Sequence, residues 1–264
     1  MDSAVNLSIK THLQYATTQP CDLLLQIEAL CDAEQVCHQS QFTLDESSSE
    51  YGVAPEPDMG PRRWIKAGPT FECRYEATVE ITRQTHDMVA LTETPRVEIP
   101  GAVIPYMMPS RYCHSDQFLN FVADQFGTLS GGALVAAISQ WISSNFTYDI
   151  NASHSGTTAT DSFFSLAGVC RDYAHMMIAL ARAGGVPARF VSAYAPGVMP
   201  PDFHAVAEVF LDGAWHIVDP TGMSSGKDVA RICVGRDAAD ASFMTSYGWV
   251  DLQVQSVEVT KITT

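Results

Sequence analysis

The sequence predicts an α+β protein, and three observations carry that reading. The first third alternates apolar and polar residues, residues 115–183 carry apolar stripes of helical period, and strand-like runs follow Pro187. At 264 residues the chain is long enough for one large domain or two modest ones.

The N-terminal elements come first. Val5, Leu7, Ile9, Leu13 and Tyr15 occupy odd positions, with Asn6, Ser8, Lys10 and Gln14 between them. Period two means one buried and one wet face. Leu23, Leu25, Ile27 and Ala29 repeat it. The cleanest run is 71–81, where Phe71, Cys73, Tyr75, Ala77, Val79 and Ile81 face one way and Glu72, Arg74, Glu76, Thr78 and Glu80 the other. Cys73 thereby reads as a packing residue. Residues 45–61, rich in Ser, Pro and Gly, read as a loop. Short strands with such punctuation suggest a small antiparallel β-sandwich.

The texture changes in the proline-bounded stretch 100–109, an extended connector, which divides the chain into a β-rich region, 1–105, and a second region, 106–264. Ser115 or Asp116 can cap a short helix that runs to Phe126 and ends at Gly127. Leu134, Ala137, Ile138, Trp141 and Ile142 mark a helix over 133–145. Residues 145–161 read as loop. A helix then starts at Cys170, with Tyr173, Met177, Leu180 and Ala181 as its apolar stripe, and Gly184, Gly185 and Pro187 stop it. Strands are expected over 188–194, 204–211 and 214–219.

Composition narrows the function. Fifteen basic against thirty acidic side chains give a net charge of -15, which argues against a nucleic-acid or anionic-membrane binder. Residues 1–132 hold -10 of that charge. Seven cysteines, at 21, 31, 37, 73, 113, 170 and 233, form no CxxC pair and no four-ligand zinc pattern, so no metal or other cofactor is expected. The first twenty residues hold no apolar h-region, and no run approaches a membrane span. Together these point to a cytoplasmic protein with reduced thiols.

One cysteine has a chemical context. Cys170 falls where a loop turns into a helix, beside unpaired backbone N–H groups and the positive end of the helix dipole, both of which favour thiolate. Gly168 removes bulk next to it, leaving room for a substrate carbonyl, and Arg171 either adds positive potential or points to solvent. A thiolate nucleophile needs a base, and the base an orienting partner. Asp212-Gly213 is a type I′ turn signal that pairs Leu211 with Ala214. Counting back, Phe210 faces Trp215, Glu208 faces Ile217 and Val206 faces Asp219. His204 and Asp219 then share a face as diagonal neighbours, while His216 points away. The spacing predicts a site with Cys170 as nucleophile, His204 as general base and acid, and Asp219 orienting His204. The Cys170 backbone N–H is the natural oxyanion donor, with Trp141, Asn145 and Tyr148 as candidates for a second. His175 lies about 140° around the helix from Cys170 and should not face the sulfur. Cys113 reads as structural, with a redox partner of Cys170 as the other reading. Glu208 reads as a buried structural carboxylate, with pairing to a helix residue as the other reading.

The run GVCRDYAHMMIALARAGGVPARFVSAY, followed by HAVAEVFLDGAWHIVDPTG, resembles the core of the transglutaminase-like superfamily of bacterial cysteine enzymes. PSRYCHSD at 109–116 and GRDAAD at 235–240 resemble its subgroup of candidate cysteine proteases, and the β-rich start resembles the domain that precedes the core there. Val206 departs from the aromatic residue many relatives carry. The resemblance implies a papain-like core over 106–264, with the Cys170 helix packed on an antiparallel sheet. It also implies the nucleophile, base and acid already assigned to Cys170, His204 and Asp219.

The expected activity is therefore cleavage of amide bonds through a thioester, as a thiol protease or amidase acting on a peptide, protein or small amide. Protein transamidation is the alternative, and an oligomer of unspecified order is compatible. A non-catalytic scaffold that kept the core is the competing class, disfavoured because all three residues are intact; a zinc enzyme lacks ligand spacing.

Overall fold

Six strands arise from the first 81 residues of the computed structural model, which describes residues 4–262: β1 (Val5–Thr17), β2 (Cys21–Leu25), β3 (Gln35–Leu44), β4 (Ser49–Gly52), β5 (Arg63–Ala67) and β6 (Thr70–Ile81). Leu7, Ile9, Leu13 and Tyr15 are buried on one face of β1, and Phe71, Cys73, Tyr75, Val79 and Ile81 on one face of β6, as the alternation requires. β2 was expected to run on to Ala29 but stops at Leu25, although Ile27 and Ala29 remain buried. The polar stretch 45–61 contains the short, fully exposed β4.

Helices and short elements follow: α1 (Leu119–Phe126), α2 (Gly131–Asn145), β7 (Thr147–Tyr148), α3 (Ala159–Ser165), β8 (Ala167–Gly168) and α4 (Cys170–Ala183). The chain then forms β9 (Ala188–Tyr194), β10 (His204–Leu211), β11 (Ala214–Val218), β12 (Ala230–Gly235), β13 (Met244–Ser246) and β14 (Val250–Ile262). Three sheets of four strands result, ordered β14-β1-β6-β3, β13-β2-β5-β4 and β11-β10-β9-β12. β7 and β8 make a parallel pair. The last two strands thus lie in the sheets of the β-rich region: β14 pairs antiparallel with β1, from Asn6 opposite Ile262 to Thr17 opposite Val250, and β13 pairs with β2.

Several local expectations change. The connector is not extended but turns through a 3-10 segment, Ile104–Met107, where Pro105 needs no N–H and Tyr106 packs edge-on against Trp215. Neither Ser115 nor Asp116 caps α1; both lie in a 3-10 turn, Ser115–Phe118, that feeds it. α3 occupies part of the expected loop, started by a capping box in which Thr158 and Asp161 bond each other's backbone N–H.

The second region is organised around α4, whose residues 172–182 are all buried, packed on β9 and β10. The β10–β11 hairpin has the expected register, Leu211 opposite Ala214 and Glu208 opposite Ile217. Asp212 and Gly213 at its turn have φ of 48° and 74°, as a type I′ turn demands.

A buried charge network joins the two regions. Glu208 accepts from Arg189 Nε at 2.6 Å and from Arg231 Nη1 at 3.0 Å, and Arg231 also pairs with Asp32. Its partners are therefore strand arginines of β9 and β12 rather than a helix residue, because Arg189 is its register partner on β9 and Arg231 reaches it from β12. Gln35 adds a two-way link to Arg231, its amide donating to Arg231 O at 2.8 Å and accepting from Arg231 N–H at 2.7 Å.

Candidate active site

Cys170 is the first residue of α4, following Val169 in extended conformation. It lies at the positive end of the helix dipole, where backbone N–H groups have no intrahelical partner. The loop is held by Asp172, a fully buried carboxylate whose Oδ2 accepts from Val169 N–H at 2.9 Å. Asp172 also takes the space beside Gly168: a Cβ there would come within 2.6 Å of it. The room at Gly168 thus belongs to Asp172, and not to a substrate carbonyl. Arg171 is tied down, its Nη2 bonding Ser153 Oγ at 2.8 Å and the His154 carbonyl.

The hairpin brings the imidazole and its acid together. His204 opens β10, Asp219 follows β11, and His204 Nε2 lies 2.8 Å from Asp219 Oδ2. Asp219 also accepts from Thr221 N–H at 3.0 Å, Thr221 Oγ1 at 2.6 Å, Ser224 N–H at 2.9 Å and Ser224 Oγ at 2.6 Å. Burial alone would raise its carboxyl, but the bond to His204 and its charge, helped by Ser224 and Thr221, hold it below the usual range. Thr221 and Ser224 were not anticipated, although an Asp followed two residues later by Thr is an Asx-turn signal.

His204 is buried, which by itself would lower its pKa; Asp219 and the Cys170 sulfur outweigh that and lift it to about 9. Nδ1, the ring nitrogen not used by Asp219, is buried without a well-aligned hydrogen bond among the described residues, and Cys170 is the group close enough to perturb it. His204 thus bonds Asp219 and shares a cleft with Cys170.

The oxyanion candidates separate. β7 and β8 pair Tyr148 with Gly168, two residues before Cys170. Burial pushes that phenol up to about 12, with the Cys170 charge adding to it and a hydrogen bond to the Cys170 backbone opposing it. Trp141 packs instead against Phe121 and Phe163, and Asn145 donates its side-chain amide to Trp141 O at 2.7 Å. Both lie on α2, and neither lines the cleft that holds Cys170 and His204. His175 is fully buried, accepts from Ala238 N–H at 3.1 Å and stacks on Tyr112, as expected of a residue off the Cys170 face. His216 bonds the Leu211 carbonyl.

The other cysteines differ from Cys170, which is partly exposed. Cys21, Cys73, Cys113 and Cys233 are buried. Burial raises all four thiols, Cys73 and Cys233 to about 12. Cys113 lies 3.5 Å from the His175 carbonyl. Among the described residues no group of three His, Cys, Asp or Glu is arranged to hold a metal ion. A cleft of about 260 Å³ opens on Cys170 and His204, walled by Phe190, Phe203 and Phe243, with Asp202 and Gln255 at its edge.

Residues 122–220 match the profile of the transglutaminase-like superfamily. The whole chain superposes on 92% of a candidate cysteine protease from Cytophaga hutchinsonii, with 31% identity and a TM-score of 0.92. An uncharacterized protein of Mycobacterium leprae is 27% identical over 141 residues, 48% of this chain and about half the length of that relative. The periplasmic domain of TgpA from Pseudomonas aeruginosa aligns with 83% of this chain and 91% of its own, at 16% identity and a TM-score of 0.45. The expected cytoplasmic location, read in part from seven unpaired thiols, is corrected by a disulfide between two of them. Cys31 and Cys37 form that disulfide, which two cysteines six positions apart in a polar stretch did not advertise. With the α+β core, its Cys-bearing helix on an antiparallel sheet and a full-length relative above 30% identity, the chain belongs to the transglutaminase-like superfamily and is an enzyme of its cysteine-protease kind.

Proposed function

We propose that the protein hydrolyses amide bonds of peptide, protein or small-amide substrates through a Cys170–His204–Asp219 triad, within a catalytic unit assigned to 106–264. The observation that supports this is the position of His204, between the Asp219 carboxylate and the cysteine at the start of α4. The Cys170 thiolate attacks the carbonyl carbon while His204 holds the proton. Charge on the carbonyl oxygen is met by the Cys170 N–H and, in this reading, by the Tyr148 hydroxyl. As the C–N bond breaks, the leaving nitrogen takes the His204 proton and a thioester remains. His204 then accepts a proton from water, whose oxygen attacks the thioester; the C–S bond breaks, giving the carboxylic acid and restoring the Cys170 thiolate beside protonated His204. A primary amine in place of water gives transamidation.

Iodoacetamide titration at neutral pH is the direct test. Cys170 is expected to react well ahead of Cys73, Cys113 and Cys233, which are buried with raised pKa values. A Cys170 no faster than Cys73 sinks the reading.

The His204 proton makes a second demand. A histidine raised from 6.5 to about 9 keeps its favourable interactions fully below 6.5 and loses them as pH rises through 9. The kcat/KM profile should therefore show an alkaline limb near pH 9. Asp219→Asn removes a raising partner, so the limb should move toward neutrality. An unmoved limb removes Asp219 from the mechanism.

A further inference from the structure

The cleft holds a carboxylate that the proposed chemistry does not use. Asp202 lies two residues before His204 and is half-buried at the cleft wall. Its Oδ1 accepts from Phe203 N–H at 2.7 Å and from Gln255 Nε2 at 2.6 Å, so both bonds fall on one oxygen and Oδ2 takes neither. Gln255 comes from β14, opposite Leu13 of β1, so the β-rich sheet itself fixes this carboxylate. No ion-pair partner faces Asp202 among the described residues, whereas Arg171, the cation lining the same cleft, is already paired with the buried Asp172. Phe203 and Phe243 stack beside Asp202 with centroids 4.6 Å apart, an apolar wall that can take a methylene stem. Burial raises the Asp202 carboxyl, and its charge is felt at Tyr148 and Tyr15. A desolvated carboxylate with an open oxygen beside an aromatic wall calls for a cation to complete it.

We infer that Asp202, positioned by Gln255, forms a specificity subsite for an alkylammonium or guanidinium group, so that the enzyme prefers substrates with a positive charge on a flexible apolar stem. For turnover this rests on the proposed Cys170 chemistry. Its source is either a lysine- or arginine-like side chain of the acyl donor, or one end of a diamine acceptor.

Charged thiol reagents read the subsite at Cys170 without a known substrate. In each, the Cys170 thiolate attacks the sulfenyl sulfur, a disulfide forms and methanesulfinate leaves. Cationic 2-aminoethyl methanethiosulfonate is expected to label Cys170 faster, relative to neutral methyl methanethiosulfonate, in the wild type than in Asp202→Asn. One uncompensated charge at close range in a partly desolvated cleft makes that change in ratio about fivefold to tenfold. Asn keeps a carbonyl oxygen for Phe203 and Gln255, and Asp202→Ser serves as the second variant. Labelling is read by peptide mass mapping at Cys170 itself, so the ratio is measurable whatever the turnover. Equal ratios in the wild type and both variants overturn the subsite. Failure of the triad reading looks different, since it shows as unselective iodoacetamide labelling.

Turnover distinguishes the two sources. A raised KM for a lysyl amide, with the norleucyl amide unchanged, in Asp202→Asn assigns the cation to the acyl donor. A lower yield of transfer to 1,5-diaminopentane, with hydrolysis unchanged, assigns it to the acceptor. Loss of neither preference overturns the inference.

Discussion

Cys170→Ala is expected to lower kcat/KM by a factor of about 10⁴ or more, because the bond-forming atom is gone and only binding and oxyanion contacts remain. The fold should be unaffected. Cys170 is partly exposed at the end of α4, and alanine preserves both the helix start and its backbone N–H. His204→Ala should be of comparable severity, and the double variant no slower than either single one, since groups that act as a unit are not additive. Cys113→Ala is the control: its thiol lies against the His175 carbonyl, so turnover per folded molecule should persist. Steady-state rates on amide libraries, with thermal unfolding alongside, check these expectations. Retained turnover in Cys170→Ala would move the nucleophile elsewhere.

The second large effect concerns stability. Glu208→Ala is expected to destabilise the protein by about 3–5 kcal/mol, the usual result of removing one partner from a buried ion pair. The Arg189 and Glu208 side chains are only 2% and 1% exposed. Without the carboxylate, Arg189 and Arg231 would face each other's charge in a space that water does not reach. Asp58 can take up part of Arg189, and Asp32 part of Arg231, but both acids lie nearer the surface. Burial alone would raise the Glu208 carboxyl, yet Arg189 and Arg231 pull it below its ordinary 4.5. The pair therefore stabilises above that value and loses its contribution as pH falls through the lowered one. Urea unfolding at neutral pH measures the effect; a loss below about 1 kcal/mol would mean that the neighbouring acids suffice.

Residues whose environment is one-sided were legible in the sequence. The buried faces of β1 and β6 follow from alternation, α4 from its stripe, and the His204–Asp219 contact from a hairpin count, because local geometry determines all of these. β3 and β14 were not seen. Each ends a sheet and leaves most of both faces to solvent, so neither carries a strong apolar period. β12 was missed for the opposite reason: all six of its residues are buried, and a short continuous run has no period either. Within the site, Tyr148 was named only as one of three oxyanion candidates, and Gln255 was not named at all, because it depends on the pairing of β14 with β1, which no local pattern encodes.

The pairing of β14 with β1 also orders events during synthesis. A chain emerging from the ribosome presents β1 long before β14, so that strand's outer edge finds its partner only after more than two hundred further residues have been made. Until then the edge is an open template for another chain. Cys170, His204 and Asp219 can be gathered earlier, since α4 and the hairpin are neighbours in sequence. Gln255 arrives with the last strand, so a nascent chain would carry its nucleophile before the wall that holds Asp202 is in place. Completion of the sheet and completion of the cleft are then a single event.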